Sequence, residues 1–319
     1  MAIVHAYDLY VALVAATMAV VRRCPIEGVD EAAGAVIGAV AHRLSSRKRL
    51  ASEQRVEKAF AGTMPDQQKR TIVKDSFRHF WQDQLADSRR HGAGDQRVIG
   101  LDRVTDALGR GRGVILWESS QFGRRMTAKR ILHNAGLALH QVHSSDHIGE
   151  LETGPCDSAL RRKVLQRFFD KQELRFVASI VRLSRCDAVA GSRTLLRLLR
   201  DNEILCMGND GAYGQKILSV PFLGHARRFA TGFVTLAHMS GATMLPMFCV
   251  EAPAGGSHVI IEEPISWDKT LDRDQAVKSV AERYTALLEF YVRRYPGEYR
   301  TWHHLRPDPP TPADGSSSS

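Results

Sequence analysis

The sequence predicts an α/β fold: a mainly parallel mixed sheet covered by helices, with a helical N-terminal region. Two observations carry the α/β class. Up to about residue 90, apolar residues recur at spacings of three and four, the period of helices resting on a core. Beyond residue 97, short apolar runs alternate with amphipathic stretches, the pattern of strands joined by helical crossovers. With 319 residues, 44% of them hydrophobic, the chain has ample side chains to bury such a core.

The first element is the apolar run LYVALVAATMAVV, residues 9–21. It falls short of the roughly 20 residues that a bilayer span needs. Asp8 precedes it and Arg22-Arg23 follow, which is not the arrangement of a signal peptide. Two readings stand: a core helix, or a membrane-associated helix over 6–23 lying in the plane of the bilayer. EAAGAVIGAVAHRL and SEQRVEKAFAG continue the helical period, and Met64-Pro65-Asp66 starts another helix, since proline suits a first helical position. HGAGDQR, residues 91–97, reads as a linker between an N-terminal region (1–90) and an α/β domain (98–306).

In that domain the expected strands are VILW (114–117), LALHQVH (137–143), EILCMGND (203–210), ATMLPMFCVE (242–251) and VIIEEPI (259–265). RRMTAKRILHNAG, the basic stretch LRRKVLQRFFDKQELRF, SRTLLRLLRDN, FVTLAHMSG and QAVKSVAERYTALLEFYVRRYP read as helices. SVPFLGHARRFATG, punctuated by proline and glycine, reads as a loop. GRGRG at 109–113 precedes its strand, whereas a dinucleotide-binding loop follows one, so it reads as helix termination and a turn. The tail, 307–319, is low-complexity and reads as disordered.

Charge and cysteine content narrow the partners. Forty-four Lys and Arg against 35 Asp and Glu give +9, which favours an anionic bilayer or an acidic carrier protein. Without a basic run interleaved with aromatics, nucleic acid is not expected. The five cysteines are scattered with no CxxC pair, so neither a disulfide framework nor a metal site is implied.

Ligands of open α/β sheets collect beyond the carboxyl ends of the strands. Three such ends carry polar residues: Glu118-Ser119-Ser120-Gln121-Phe122-Gly123-Arg124-Arg125, His143-Ser144-Ser145-Asp146-His147, and Asn209-Asp210-Gly211-Ala212-Tyr213-Gly214. On these stretches the chain resembles the lysophospholipid acyltransferase superfamily, in particular the bacterial lipid A late acyltransferase branch. GVILWESSQFGRRM resembles that branch's first strand end. NDGAYGQKILSVPFLGHARRFATGFVTLAHMSGATMLP resembles its later D-x-x-x-G…V-P-F-F-G run, and RTWHHLRP its basic ending. The resemblance implies a peripheral protein on the cytoplasmic face of a bacterial cell membrane, acting in lipid biosynthesis. It would move an acyl chain from acyl carrier protein or coenzyme A, as a thioester co-substrate and not a cofactor, to an amphiphilic hydroxyl or amine acceptor.

One departure is specific. The family's catalytic pair is a histidine and an acid five positions later; here those positions hold Gln121 and Met126. Glutamine has no pKa near neutrality and cannot serve as general base. Three readings follow. The base is rebuilt from Glu118, His143 or Asp210; or Ser119 or Ser120 acts as nucleophile, with Gln121 helping to form an oxyanion hole; or the chain binds lipid or acyl chains as a non-enzymatic subunit. The candidate catalytic set is Gln121, Glu118, Ser120, Asp210 and His143. Phe122, Gly123, Arg124, Arg125, Arg227 and Arg228 are the candidate substrate contacts, the arginines for anionic groups.

Overall fold

The computed structural model describes residues 6–26, 28–86, 94–144, 147–148, 151–152, 160–183, 188–208, 217–268, 270–300 and 302–304. Helices α1 (Ala6–Arg23), α2 (Val29–Leu44), α3 (Ser46–Ala59) and α4 (Asp66–Ala86) form the N-terminal region. α1 buries Val11, Val14, Met18 and Val21 against Trp81 and Leu85 of α4. Its opposite face leaves Leu9, Leu13 and Val20 more than 60% exposed. The run is therefore a core helix on one side and an uncovered apolar stripe on the other. Among the described residues, no helix is long and apolar enough to cross a membrane.

α2 lies unusually close to α4 because Gly34 and Gly38 face it. A Cβ added at Gly34 would stand 2.6 Å from the Cα of Gln82, and one at Gly38 2.7 Å from the Cα of Arg78. Backbone cannot yield as a side chain does, so Gly38→Val should cost about 1–3 kcal/mol, read as a shift in urea midpoint.

The remaining elements are β1 (Asp95–Ile99), α5 (Leu101–Gly109), β2 (Val114–Glu118), α6 (Arg125–Asn134), β3 (Leu139–Ser144), β4 (His147–Ile148), β5 (Leu151–Glu152), α7 (Gln166–Glu173, entered by a π-helical turn), β6 (Ser179–Leu183), α8 (Ala188–Arg200), β7 (Ile204–Gly208), β8 (Ile217–Phe222), β9 (His225–Ala230), α9 (Gly232–Ser240), β10 (Thr243–Glu251), β11 (Gly256–Ile261) and α10 (Arg273–Arg294). The seven-stranded sheet has the order β1-β11-β10-β2-β7-β3-β6. Strands β10 through β6 in that order run parallel, and β11 pairs antiparallel with β10.

Both sheet faces are covered. Ile115, Trp117, Leu205 and Met207 point toward Leu195, Phe233, Tyr284 and Leu288 of α8, α9 and α10. Val114, Leu116, Ile204 and Cys206 point toward Val104 of α5 and Ala128, Ile131 and Leu132 of α6. Trp117 stacks on Tyr284, ring centroids 3.7 Å apart, at the centre of the first layer. Buried on both faces, these strands read as continuous apolar runs, which is why they were visible in the sequence.

Three segments differ from expectation. β1 begins at Asp95, inside the stretch read as linker, and pairs as an edge with β11. β6, also an edge strand, is nowhere fully buried and lacks the apolar signature. SVPFLGHARRFATG is a β8–β9 hairpin and not a loop. Its turn residues, Leu223 and Gly224, both have positive φ, as a two-residue hairpin turn requires. Pro221 disguised β8, and it is tolerated because this two-stranded hairpin has free edges. GRGRG does end α5 and turn into β2, with Gly111 and Gly113 at positive φ.

Candidate active site

Strand β2 delivers Glu118 to the carboxyl end of the sheet, and residues 119–124 form the turn into α6. That turn is fastened to the chain's C-terminal segment. Gly123 N–H donates to the Glu298 carbonyl at 3.0 Å, and Arg300 N–H donates to the Gln121 carbonyl at 2.8 Å. Phe122 pairs with Tyr299 as an isolated β-bridge, and its ring is buried against Phe248 and Tyr291. Gly123 has φ 75°, and a Cβ there would come within 2.2 Å of the Cys249 carbonyl oxygen. Phe122 and Gly123, expected to touch substrate, are thus the residues that dock this turn onto β10.

Gln121, expected from the sequence to stand at the histidine position, accepts a hydrogen bond from the Tyr299 hydroxyl at 2.5 Å through Oε1. Met126, expected at the acid position, is 4% exposed. Ser119 is buried and accepts from Gln121 N–H at 3.3 Å. Ser120 is partly exposed beside Gly208 of β7, and its carbonyl accepts from Arg300 Nη2 at 3.3 Å. Behind the turn, Arg300 Nη1 is 2.7 Å from Asp83 Oδ2 of α4, with both side chains at most 2% exposed.

Glu118 does not fold back toward Gln121. It is 2% exposed beneath α6, where Arg125 Nη2 donates to Oε1 at 2.5 Å and Gln141 Nε2 of β3 at 3.0 Å. The expected anion-contacting arginines are drawn into the protein. Arg125 is buried in the pair with Glu118. Arg124 lies 3.2 Å from Glu251 and 3.7 Å from Glu298, and although burial works against its charge, those carboxylates hold it above the ordinary arginine range. Arg227 is buried with its guanidinium 4.8 Å from the Phe222 ring centre, whereas Arg228, next along β9, is exposed on the other face. Asp210 lies outside the described residues.

His143, near the end of β3, is the expected residue with the richest surroundings. Its Nε2 is 2.7 Å from Glu173 Oε2 at the end of α7, and Glu173 Oε1 is 2.6 Å from Lys129 Nζ of α6. Lys129 is fully buried and also lies 3.7 Å from Met126 Sδ. Burial alone would raise the Glu173 pKa, yet Lys129 and His143 drive it well below the carboxylate range. The sequence points to His143 but not to its partners here, Glu173 and Lys129. Both sit on stretches read as amphipathic helix, where a charge is taken to face water.

A second polar knot joins α4 to β10 and the C-terminal segment. His79, Glu251 and Glu298 bring their ligand atoms within 4.8 Å of one another. Arg124 approaches both carboxylates, and Arg78 Nη2 lies 3.0 Å from His79 Nε2. The chain's own guanidinium groups thus stand where a metal ion would approach. At the amino ends of the strands, His140 bridges Ser179 (2.7 Å) and Glu203 (3.2 Å), fastening three neighbouring strands.

Among the described cysteines, burial raises the pKa of Cys206 and pushes that of Cys249 up to about 12, keeping both as thiols. Iodoacetamide at pH 8 should therefore alkylate half-buried Cys24 and spare Cys206 and Cys249 until urea unfolds the chain, as peptide mass spectrometry would read.

Residues 161–306, from the π-helical turn before α7 through the C-terminal segment, match the family model described as Bacterial lipid A biosynthesis acyltransferase. No curated protein matches the chain significantly. The matched span contains Glu173, the β8–β9 hairpin and Tyr299-Arg300 but not the 113–126 stretch, so the similarity to that family lies in the C-terminal part of the chain.

Proposed function

We propose that the protein moves an acyl chain from an acyl carrier protein or coenzyme A thioester to an amphiphilic hydroxyl or amine acceptor at a membrane surface. The observation that carries this reading is the family match over 161–306. The buried polar groups of the flanking strand ends, Glu118, Gln141 and His143, lie where open α/β sheets gather their ligands. Burying so many polar groups is costly unless each is held in place for a purpose.

The same reading puts the protein peripherally on the cytoplasmic face of the cell membrane. Leu9, Leu13 and Val20 make an exposed stripe on α1, and Val36, Val40 and Leu44 make another on α2. Exposed Arg23, Arg43, Arg47 and Lys48 flank these stripes and suit anionic headgroups. Leu13→Glu with Val20→Glu should reduce co-sedimentation with phosphatidylglycerol vesicles several-fold.

The non-enzymatic reading has its own support: Gln121 is tied to Tyr299 and Met126 is buried, so the two positions of the family's catalytic pair serve packing. A turnover assay separates the two. Purified protein is incubated with both thioester classes and a total lipid extract, and free thiol and acylated products are followed by mass spectrometry. Thiol release with a new acyl-lipid supports transfer, and release without one points to a serine-based hydrolase. An acyl chain bound but never turned over supports a binding protein.

A further inference from the structure

We infer that the histidine–carboxylate pair absent from positions 121 and 126 is supplied elsewhere, with His143 as general base and Glu173 as the carboxylate that positions it. The inference rests on the acyl-transfer reading above. His143 Nε2 and Glu173 Oε2 are 2.7 Å apart, the reach of a base and its orienting acid. A carboxylate only accepts, so it fixes the proton of neutral imidazole on Nε2 and leaves the lone pair on Nδ1. The pair stands at the carboxyl end of β3 and shares a sheet face with Gln141, which bonds Glu118 directly before Ser119-Ser120. Lys129 completes the link: it holds Glu173 ionised at 2.6 Å and touches Met126, the vacated acid position, at 3.7 Å. The relocated pair is therefore two contacts from where the family's own acid would stand. Among the described residues, the charged groups near His143 include Glu173 and Asp170 of α7, Lys129 of α6, and Arg182 of β6, which is its register partner and is itself paired with Asp170.

In the reaction, Nδ1 takes the proton from the acceptor hydroxyl as its oxygen bonds to the thioester carbonyl carbon. Glu173 stabilises the imidazolium that forms. The tetrahedral intermediate collapses with cleavage of the carbon–sulfur bond, and the imidazolium returns its proton to the departing thiolate. Thioester and alcohol become ester and thiol, with His143 restored.

The test uses the full chain with the thioester and lipid mixture of the turnover assay. His143→Gln should lose about 100-fold or more in kcat, with KM for the thioester little changed. A double variant, Lys129→Met with Glu173→Gln, removes the buried ion pair together and leaves His143 in place. Without the carboxylate the ring loses the group that orients it, so the plateau of the pH–rate profile should fall and its shape should change. A merely structural role would lower activity equally at every pH. Imidazole added to His143→Gly should restore part of the turnover. Wild-type turnover retained by folded His143→Gln overturns the inference and leaves acyl transfer standing. If that variant does not fold, a double-variant profile superimposable on wild type overturns it instead. A wild-type protein that turns over no thioester removes the acyl-transfer reading, and the inference falls with it.

Discussion

Replacing Arg300 with Met should cost about 3–5 kcal/mol, because it leaves Asp83 as a buried carboxylate without its cation. The pair is almost wholly out of water, and Arg300 also donates to the Ser120 carbonyl. The guanidinium joins three distant parts of the chain: α4, the strand-end turn and the C-terminal segment. Its loss should therefore loosen the turn that carries Ser119, Ser120 and Gln121 as well as lower global stability. Urea unfolding at neutral pH measures the first effect, and amide exchange at Gln121 and Gly123 the second. Adding Asp83→Leu to Arg300→Met should recover most of the stability, since removing both charges of a buried ion pair is often near neutral. A double variant as unstable as the single one would mean that packing of the Arg300 stem, and not its charge, holds the segments together.

That junction shows where sequence reasoning reached and where it stopped. The strands β2, β7 and β10 were legible because burial on two faces leaves an unbroken apolar run. The edge strands β1 and β6 were not, since half-exposed strands lack that run. Pro221 hid a hairpin for a separate reason, as it is a strand breaker only in a sheet interior. At the candidate site, the strand-end polar residues were visible because they interrupt the apolar pattern. Their partners were not. Asp83, Lys129, Glu173 and Arg300 lie between 30 and 217 residues from their ionic partners, in stretches where charged residues look ordinary: His143–Glu173 spans 30 positions, Glu173–Lys129 44 and Arg300–Asp83 the full 217. The arginines show the same limit in reverse. Arg124 and Arg125 read as anion contacts in the sequence, yet both turn inward, Arg124 to Glu251 and Glu298 and Arg125 to Glu118.

The largest pH-dependent effect should come from Lys129→Met. Lys129 is fully buried, and with His143 it holds Glu173 ionised against the cost of burial. In the wild type the folded-state pKa of Glu173 lies well below the unfolded value of about 4.3. A depressed carboxylate contributes stability that is fully present above the unfolded value and is lost as pH falls through the folded one. Wild-type stability from this group is thus intact at pH 7 and declines only in acid. Removing Lys129 leaves burial, which raises the Glu173 pKa, opposed chiefly by His143. At pH 7 the variant then carries a poorly compensated buried carboxylate and should be about 3–5 kcal/mol less stable. Lowering the pH lets Glu173 take up a proton, which relieves that penalty in the variant, while the wild type keeps its own contribution down to about pH 4.3. The two stability curves should therefore converge between pH 7 and pH 4, as urea midpoints across that range would show. Parallel curves would mean that the buried amine acts only by filling space beside Met126, and that the charge of Glu173 is balanced from elsewhere.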